Sequence, residues 1–599
     1  MTKRFLLTLM LPVLALSSSA PAQRLAADGA PQTLTFLAEQ YFDDFFKFNP
    51  TAGTAAGFHQ YDPELEDYSA AGTTAEIASL HSYEKKLSAI DPRALDAPDA
   101  ADLQILLNSI RSSLLALEVI RNQEKNPDDY SSGIANSVFV IMERKYAPAN
   151  TRLRAVIARE QKMPQVLVEA RKILKNPPRI FTEIALEQID DTISFFQNDV
   201  PAAFADANDP TASAEFAKSN AAVIEALKNY ATWMKSDLLP RSNGDYKLGA
   251  DTFRKKLLYD EMVDIPLDHL LDVAYADLHK NQAEFARVAK LVDPGKTPTE
   301  VLAELAANHP MPDRLLITFH DTFDKLIAFI RDRHIVTLPS DVEPTLEETP
   351  PFMRATTQAS MDAPGPYETH STQAYFNVTL PEKDWSAERV AEHMAAFNVG
   401  TIVSTSVHEA YPGHYVQFLY SPAFPSKIRK LIGANTNIEG WAHYCEQMML
   451  DQGYALGNYN RADSPDPIPA TVTPLSMDLA NLIRLGQLQD ALLRDARFVV
   501  SIKLHTGQIT FDQAVDFFVK EGYQSHAIGL METKRGTSDA TYLYYTLGKL
   551  QIMKLREDLK KKQGASFSLQ QFHDAFLRQG PAPIKLIRKA MLHDDSPTL

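Results

Sequence analysis

Apolar residues recur with the 3.6-residue period of an amphipathic helix over most of this chain, and that pattern constrains its fold more than any other. Leu34 to Phe48 carries Leu34, Phe36, Leu37, Tyr41, Phe42, Phe45 and Phe46, with acids between them. Asp99 to Ile120 repeats it through Leu103, Ile105, Leu106, Ile110, Leu114, Leu115 and Val119. The same reading predicts helices over 147–174, 178–198, 212–236, 262–291 and 311–334, separated by Pro177-Pro178, Pro240, Pro266, Pro294 and Pro310. Glycine is scarce, 23 of 599 residues, against a usual ~7%. Gly-rich phosphate loops and tightly turned β architectures need more of it, so a mainly α protein is expected.

The texture changes between about Ile335 and Asp384, where Pro339, Pro344, Pro350-Pro351, Pro364, Pro366 and Pro381 crowd together. Ala374 to Thr379 alternates in the manner of a strand. Helical periodicity resumes at Ala387 and runs to the C-terminus, with a loop near 456–473. The expected organisation is an N-terminal helical half (23–334), a Pro-rich crossing with a short β element (335–384) and a C-terminal helical half (385–599).

Met1 to Ala22 has a basic start at Lys3-Arg4, an apolar run from Phe5 to Leu16 and a small-x-small site at Ala20-Pro21-Ala22. This is the pattern of a cleavable signal peptide (1–22), and it predicts a periplasmic or secreted protein. No Cys follows the apolar run, so no lipid-attachment site is expected there, and no stable membrane insertion is expected after cleavage. The chain has 60 Lys plus Arg against 76 Asp plus Glu, a charge of −16; losing Lys3 and Arg4 takes it to −18. Nucleic-acid and anionic-lipid binding call for a basic surface, which argues against both. The single cysteine, Cys445, allows no intrachain disulfide and no thiolate metal cluster. Any metal must be held by histidine and carboxylate.

One segment concentrates those groups: His408-Glu409-Ala410-Tyr411-Pro412-Gly413-His414. In the HExxH arrangement of zinc hydrolases, two histidines four residues apart are offset by only about 40° on a helix. Here the second histidine comes six residues on, which leaves the two roughly 120° apart on an undistorted helix. Pro412-Gly413 offers the remedy, since proline breaks the hydrogen-bond ladder and glycine accepts unusual torsions. A break in an apolar helix is costly and is expected at a functional site. The third ligand should be a carboxylate or a histidine on a neighbouring helix. Glu439, 25 residues after His414, has that spacing. Glu439, His443 and Glu446 share one helical face, with His443 or Glu446 expected behind the ligands, orienting their imidazoles. Two histidines, one glutamate and an open position form a catalytic Zn2+ pattern, with Glu409 as general base. A developing oxyanion needs a donor; His505, Tyr545, Arg497 and Arg556 are candidates that spacing does not rank. Tyr375 and Asn377, on the expected strand, are candidates for pairing with an extended substrate.

These residues carry a resemblance. The chain resembles the bacterial domain of unknown function 885 family, whose members carry an HExxPGH motif. The match rests on His408 to His414 and on Glu439-Gly440-Trp441-Ala442. Weaker matches are Phe48 to Ala52, Gly57 to Asp62, Gly365-Pro366-Tyr367, Tyr375-Phe376-Asn377, Leu504 to Gly507, and Tyr545 to Leu550 with Arg556 beyond. The resemblance spans roughly residues 35 to 590. It implies a large helical fold with an internal cleft, similar to zinc peptidases of the angiotensin-converting-enzyme and oligopeptidase type. It implies zinc on His408, His414 and Glu439, with Glu409 as base and Tyr545, His505 and Arg556 contacting substrate or transition state. Ser501 stands where family members often have Asp, which removes an acid partner for His505.

The expected function is an exported zinc metallopeptidase acting on short peptides. Water activation is common to peptide, amide and ester hydrolysis, so a cell-wall peptide amidase or an esterase is the alternative. A non-catalytic binding protein of the same fold is a third reading. No Walker loop, Rossmann glycine fingerprint or Gly-x-Ser-x-Gly elbow is found, so nucleotide and serine-hydrolase chemistry has no support.

Overall fold

A computed structural model of the chain describes residues 20–349, 354, 357–383, 385–454 and 477–599. The expected signal peptide lies outside these residues except for Ala20 to Ala22, which open the first helix, Ala20–Phe48. The loop expected near 456–473 also lies outside them.

The mainly helical expectation holds, and its departures have local causes. The 147–174 stretch is two helices, Ala149–Glu160 and Met163–Ile173, with Pro164 in the first turn of the second. The stretch expected from 262 starts at Leu267, because Pro266 caps that helix and Met262 takes a left-handed turn that closes the preceding one, Ala250–Glu261. Three helices run on into short π-helical segments: Leu115–Ile120, Phe195–Asp199 and Met234–Leu238. Ala70–Ser88, rich in Ala, Ser and Thr, and Asp128–Met142 are further helices that the apolar period does not single out.

Two of the hydrophobic cores matter most here. One is built by helices between residues 130 and 238 and buries Ile134, Val138, Val156, Phe196, Val223, Leu227 and Tyr230. The larger core takes residues from both halves of the chain. Leu34 to Phe46 and Leu103 to Leu114 pack there with Phe319 to Ile330 and with Tyr411, Trp441 and Ile552. The stretch Ala97–Lys125 is long and apolar enough by composition to cross a membrane. In the fold it is a core helix: Leu106 and Ile110 are fully buried, and Asp102 makes a buried ion pair with Arg429.

The expected strand forms, as the middle of a three-stranded sheet. β1 (Thr345–Glu348) lies parallel to β3 (Tyr375–Val378), and β2 (Ala359–Asp362) lies antiparallel to it, in the order β1-β3-β2. Phe376 and Val378 are fully buried, and Phe376 meets Phe319 and Phe323 with ring centroids 5.2 and 5.1 Å apart. This packing leaves β2 as an edge strand.

Behind the sheet, helix Val399–Glu409 packs on Met477–His505, and Asn435–Asp451 packs on Tyr544–Gln563. Paired glycines set the second spacing. A methyl group on Gly440 would sit 2.6 Å from the Gly548 Cα, so the two backbones approach as only glycine permits.

Candidate metal centre

Helix Val399–Glu409 ends at the first histidine pair of residues, His408-Glu409, and a new helix starts at His414 (His414–Leu419). The sequence led us to expect a bulged helix; the chain instead stops and restarts. Gly413 takes a non-helical ψ of −130°, just after a cis Tyr411–Pro412 peptide. Gly413 lies so close to the His408 carbonyl oxygen that no side chain fits there. Trp441 Nε1 donates to the Pro412 carbonyl at 2.9 Å, and buried Cys445 packs on the same oxygen. The break is thus tied to the neighbouring helix.

The break turns the two imidazoles towards each other, with ring centroids 4.8 Å apart and planes at 88°. His408 Nε2 and His414 Nε2 each lie 3.4 Å from Glu439 Oε2, on helix Asn435–Asp451. All three donor atoms fall within 4.8 Å of one another. Three donors at about 2.0–2.2 Å from one tetrahedral ion are roughly 3.3–3.5 Å apart, so the set fits zinc. Glu439 Oε2 is buried and lacks a hydrogen-bond partner, as an atom reserved for a cation would.

Glu446 stands behind His408. Its fully buried carboxylate accepts from His408 Nδ1 at 2.6 Å and from His443 Nδ1 at 3.0 Å, and Arg494 Nη2 lies 3.3 Å away. A carboxylate only accepts, so His408 carries its proton on Nδ1 and presents the Nε2 lone pair to the site. His443 touches Glu446 and not the ligand imidazoles, one step farther out than an orienting role on a ligand requires. Burial holds His443 down to about 3, so it is neutral. Burial also works against charge on His408, but Glu439 and Glu446 outweigh it and push the metal-free imidazole up to about 10. Burial opposes charge on Glu439 too, yet His414 and His408 hold its carboxyl well below the usual range.

A cavity of about 300 Å3 opens over these groups. Glu409, Tyr545, Ser360, Met361, Phe418 and Ile438 complete its walls. Glu409 Oε2 accepts from the Met361 backbone N–H at 3.1 Å, which ties the expected base to edge strand β2. The Tyr545 ring lies 6.4 Å from the His408 ring, nearly parallel to it. Three guanidinium groups surround Tyr545: Arg494, Arg497 and Arg535, at 5.7, 4.9 and 5.9 Å from its centroid. Arg497, a candidate oxyanion donor from sequence, is spent on a bidentate pair with Glu532 at 2.7 Å.

Four expected site residues stand elsewhere. His505 is fully buried, and its Nε2 donates to the Gly536 carbonyl at 2.7 Å; its His-Thr-Gly signature belongs to a helix end, not to the cavity. Arg556 donates to Tyr444 Oη at 3.1 Å and reaches Glu557, behind the ligand helix. Tyr375 and Asn377 sit on β3, which is hydrogen-bonded on both sides and has no edge to offer a peptide. Tyr375 lies instead under Arg144, and Asn377 is buried. The residues that sequence reasoning missed are Ser360 and Met361 on β2, Phe418, Arg494 and Arg535. Only Phe418 had a signal, one helical turn beyond His414.

Comparison with known proteins agrees with this architecture. The chain is similar to a solved structure described as a "putative lipoprotein of unknown function" from Shewanella oneidensis, with 25% identity and a TM-score of 0.76. That match covers 93% of this chain and 99% of the other. A "putative lipoprotein" from Colwellia psychrerythraea shares the fold at 17% identity and a TM-score of 0.74, covering 96% of this chain and 99% of the other. No curated protein matches the chain. The family model described as bacterial protein of unknown function (DUF885) matches residues 50–591, and the chain belongs to that family.

Proposed function

We propose that this protein is an exported zinc-dependent hydrolase whose substrates are short peptides. The observation that carries the reading is the equal 3.4 Å separation of His408 Nε2 and His414 Nε2 from Glu439 Oε2, at a cavity that Glu409 shares. When bound, zinc would supply Lewis-acid polarisation of a carbonyl and lower the pKa of water. Glu409, the residue after a ligand, is a carboxylate on the cavity wall and would accept a proton from the attacking water. Its bond to Met361 N–H holds it in place. Glu446 keeps His408 in the ligating tautomer, and Arg494 offsets the carboxylate's buried charge. Tyr545 Oη donates to the carbonyl oxygen as negative charge develops there.

Edge strand β2 replaces β3 as the element for aligning an extended substrate. Its Met361 N–H already points away from β3 towards Glu409. A cavity this size admits one or two residues at the cut and excludes a folded protein. A metal at the floor of a helical cleft is also the plan of angiotensin-converting-enzyme and oligopeptidase-type peptidases, and we extend that likeness to this chain. Export and association with the cell envelope follow from the signal-like start and from the lipoprotein description of the two similar structures. Cys445, buried in the ligand helix, is no point of lipid attachment.

The test is metal analysis followed by a substrate screen. Purified protein supplied with zinc should hold close to one equivalent and cleave blocked tri- and tetrapeptides, and Glu409→Gln should keep the zinc and lose the cleavage. Less than about a tenth of an equivalent would sink the reading. Cleavage of esters with none of amides would redirect it to an esterase.

A further inference from the structure

The protein is strongly anionic, yet Tyr545 is ringed by three arginines. Two of them are consumed. Arg494 pairs with fully buried Glu446, and Arg497 pairs with buried Glu532. Arg535, on helix His526–Ser538, is different: its side chain is 39% exposed. Among the described residues its one ion-pair partner is Asp539, at 3.3 Å, and that carboxylate takes a shorter bond, 2.9 Å, from Tyr544 Oη. Arg535 Nη2 also lies 3.4 Å from Tyr545 Oη and 3.5 Å from Tyr544 Oη. A half-exposed guanidinium with the Tyr544 hydroxyl beside it is a ready carboxylate cradle, since both groups donate once Tyr544 turns from Asp539, and the Tyr545 hydroxyl is left for the scissile carbonyl.

We propose that Arg535, with Tyr544, binds a carboxylate of the substrate, and that the carboxylate is the peptide's own C-terminus. This rests on the peptidase reading above and narrows it to cleavage near the carboxyl end. Distance sets the tail. The Tyr545 ring is 6.4 Å from the His408 ring, and the Arg535 guanidinium is 5.9 Å from the Tyr545 ring. The guanidinium is therefore at most about 12 Å from His408, roughly the reach of three extended residues. The released fragment is a single amino acid, a dipeptide or a tripeptide. Met361, Phe418 and Ile438 form the apolar side of the cavity that Tyr545 also lines, so an apolar side chain fits near the cut.

Three probes test this: N-acetyl-Ala-Ala-Phe with a free carboxylate, the same peptide as its C-terminal amide, and N-acetyl-Ala-Ala-Glu amide, whose only carboxylate is on a side chain. Binding is measured by calorimetry on zinc-supplied Glu409→Gln protein, where nothing is consumed. The free acid should bind about ten-fold or more tighter than its amide. Adding Arg535→Ala should bring that ratio to one, and Arg535→Lys should leave an intermediate value, because charge is kept but the planar fork is lost. Equal affinity for acid and amide, or no binding of the acid, would overturn the proposal. Preference for the glutamate amide over the free acid would overturn the C-terminal assignment. In turnover by the otherwise wild-type enzyme, Arg535→Ala should raise KM about ten-fold more for the acid than for the amide; an equal fall in kcat for both with KM values unchanged would mean that Arg535 only holds Tyr545, and would also overturn it. Acid-over-amide binding without any turnover would sink the peptidase reading and leave the carboxylate site standing.

Discussion

The helical core between residues 130 and 238 and the helices around the candidate metal centre differ in what they bury. The first fills its centre with Ile134, Val138, Phe196, Val223 and Leu227, all fully buried, and satisfies buried charges such as Arg159 and Glu160 with neutral backbone and side-chain partners. The second buries His408, His443, Glu446, Asp495, Lys549 and Glu532 within a few helices. Charges taken out of water are costly even when paired. The apolar core stabilises and needs no other reason to exist. The polar one exists for what it presents: a lone pair on His408 Nε2, an unpartnered Glu439 oxygen and a carboxylate at Glu409. Damage to the first should therefore show in stability alone, and damage to the second in chemistry as well.

The sharpest way to separate them is Glu409→Gln. Hydrolysis should fall by about 10²–10⁴-fold in kcat with zinc retained and the unfolding midpoint nearly unchanged, as read by steady-state kinetics and metal analysis. Next comes Glu446→Ala, which strands Arg494 and His443 in the interior. It should cost about 3–5 kcal/mol in denaturant titration and weaken zinc binding about 10–100-fold in a chelator competition. Leu227→Ala in the apolar core should cost a similar ~2–5 kcal/mol with zinc affinity unchanged; a shift in zinc affinity there would break the comparison. Gly440→Ala forces a methyl against Gly548 and should destabilise by about 1–3 kcal/mol while displacing Glu439 enough to weaken zinc binding.

A further effect is in pH. Metal-free His408 is raised from 6.5 to about 10, so between those values zinc must displace its proton. Zinc affinity should climb about ten-fold per pH unit across that window and flatten above it. The sign for folding is the reverse. The stabilisation of metal-free protein from protonated His408 is complete below pH 6.5 and is lost as pH rises through about 10. A zinc affinity flat from pH 7 to 9 would show that Glu439 and Glu446 do not hold that proton.

The residues that spacing alone brought together are those whose geometry is local. His408, Glu409 and His414 lie within seven residues, and Glu439, His443 and Glu446 repeat on one helical face, so the rules of a single helix and a single break place them. His505 and Arg556 carry equally polar signatures, but His505 spends its ring on the Gly536 carbonyl and Arg556 on Tyr444. Nothing near them in the chain announces those partners. The strand at Tyr375 to Val378 was legible as a strand, but its position in the sheet was not, because β1 and β2 come from the same Pro-rich stretch and only pairing decides which strand is the edge.

The sequence by itself determined the helical class, the place of the helix break and the identity of the His408, His414, Glu439 and Glu409 set, because each depends on period and spacing within one or two elements. The tertiary structure alone decided that Met361 meets Glu409, that Arg494 neutralises Glu446 and that Arg535, of the three arginines around Tyr545, is left with its face to solvent. Those are contacts between elements distant in the chain, set by packing between helices and sheet, and local periodicity carries no information about them.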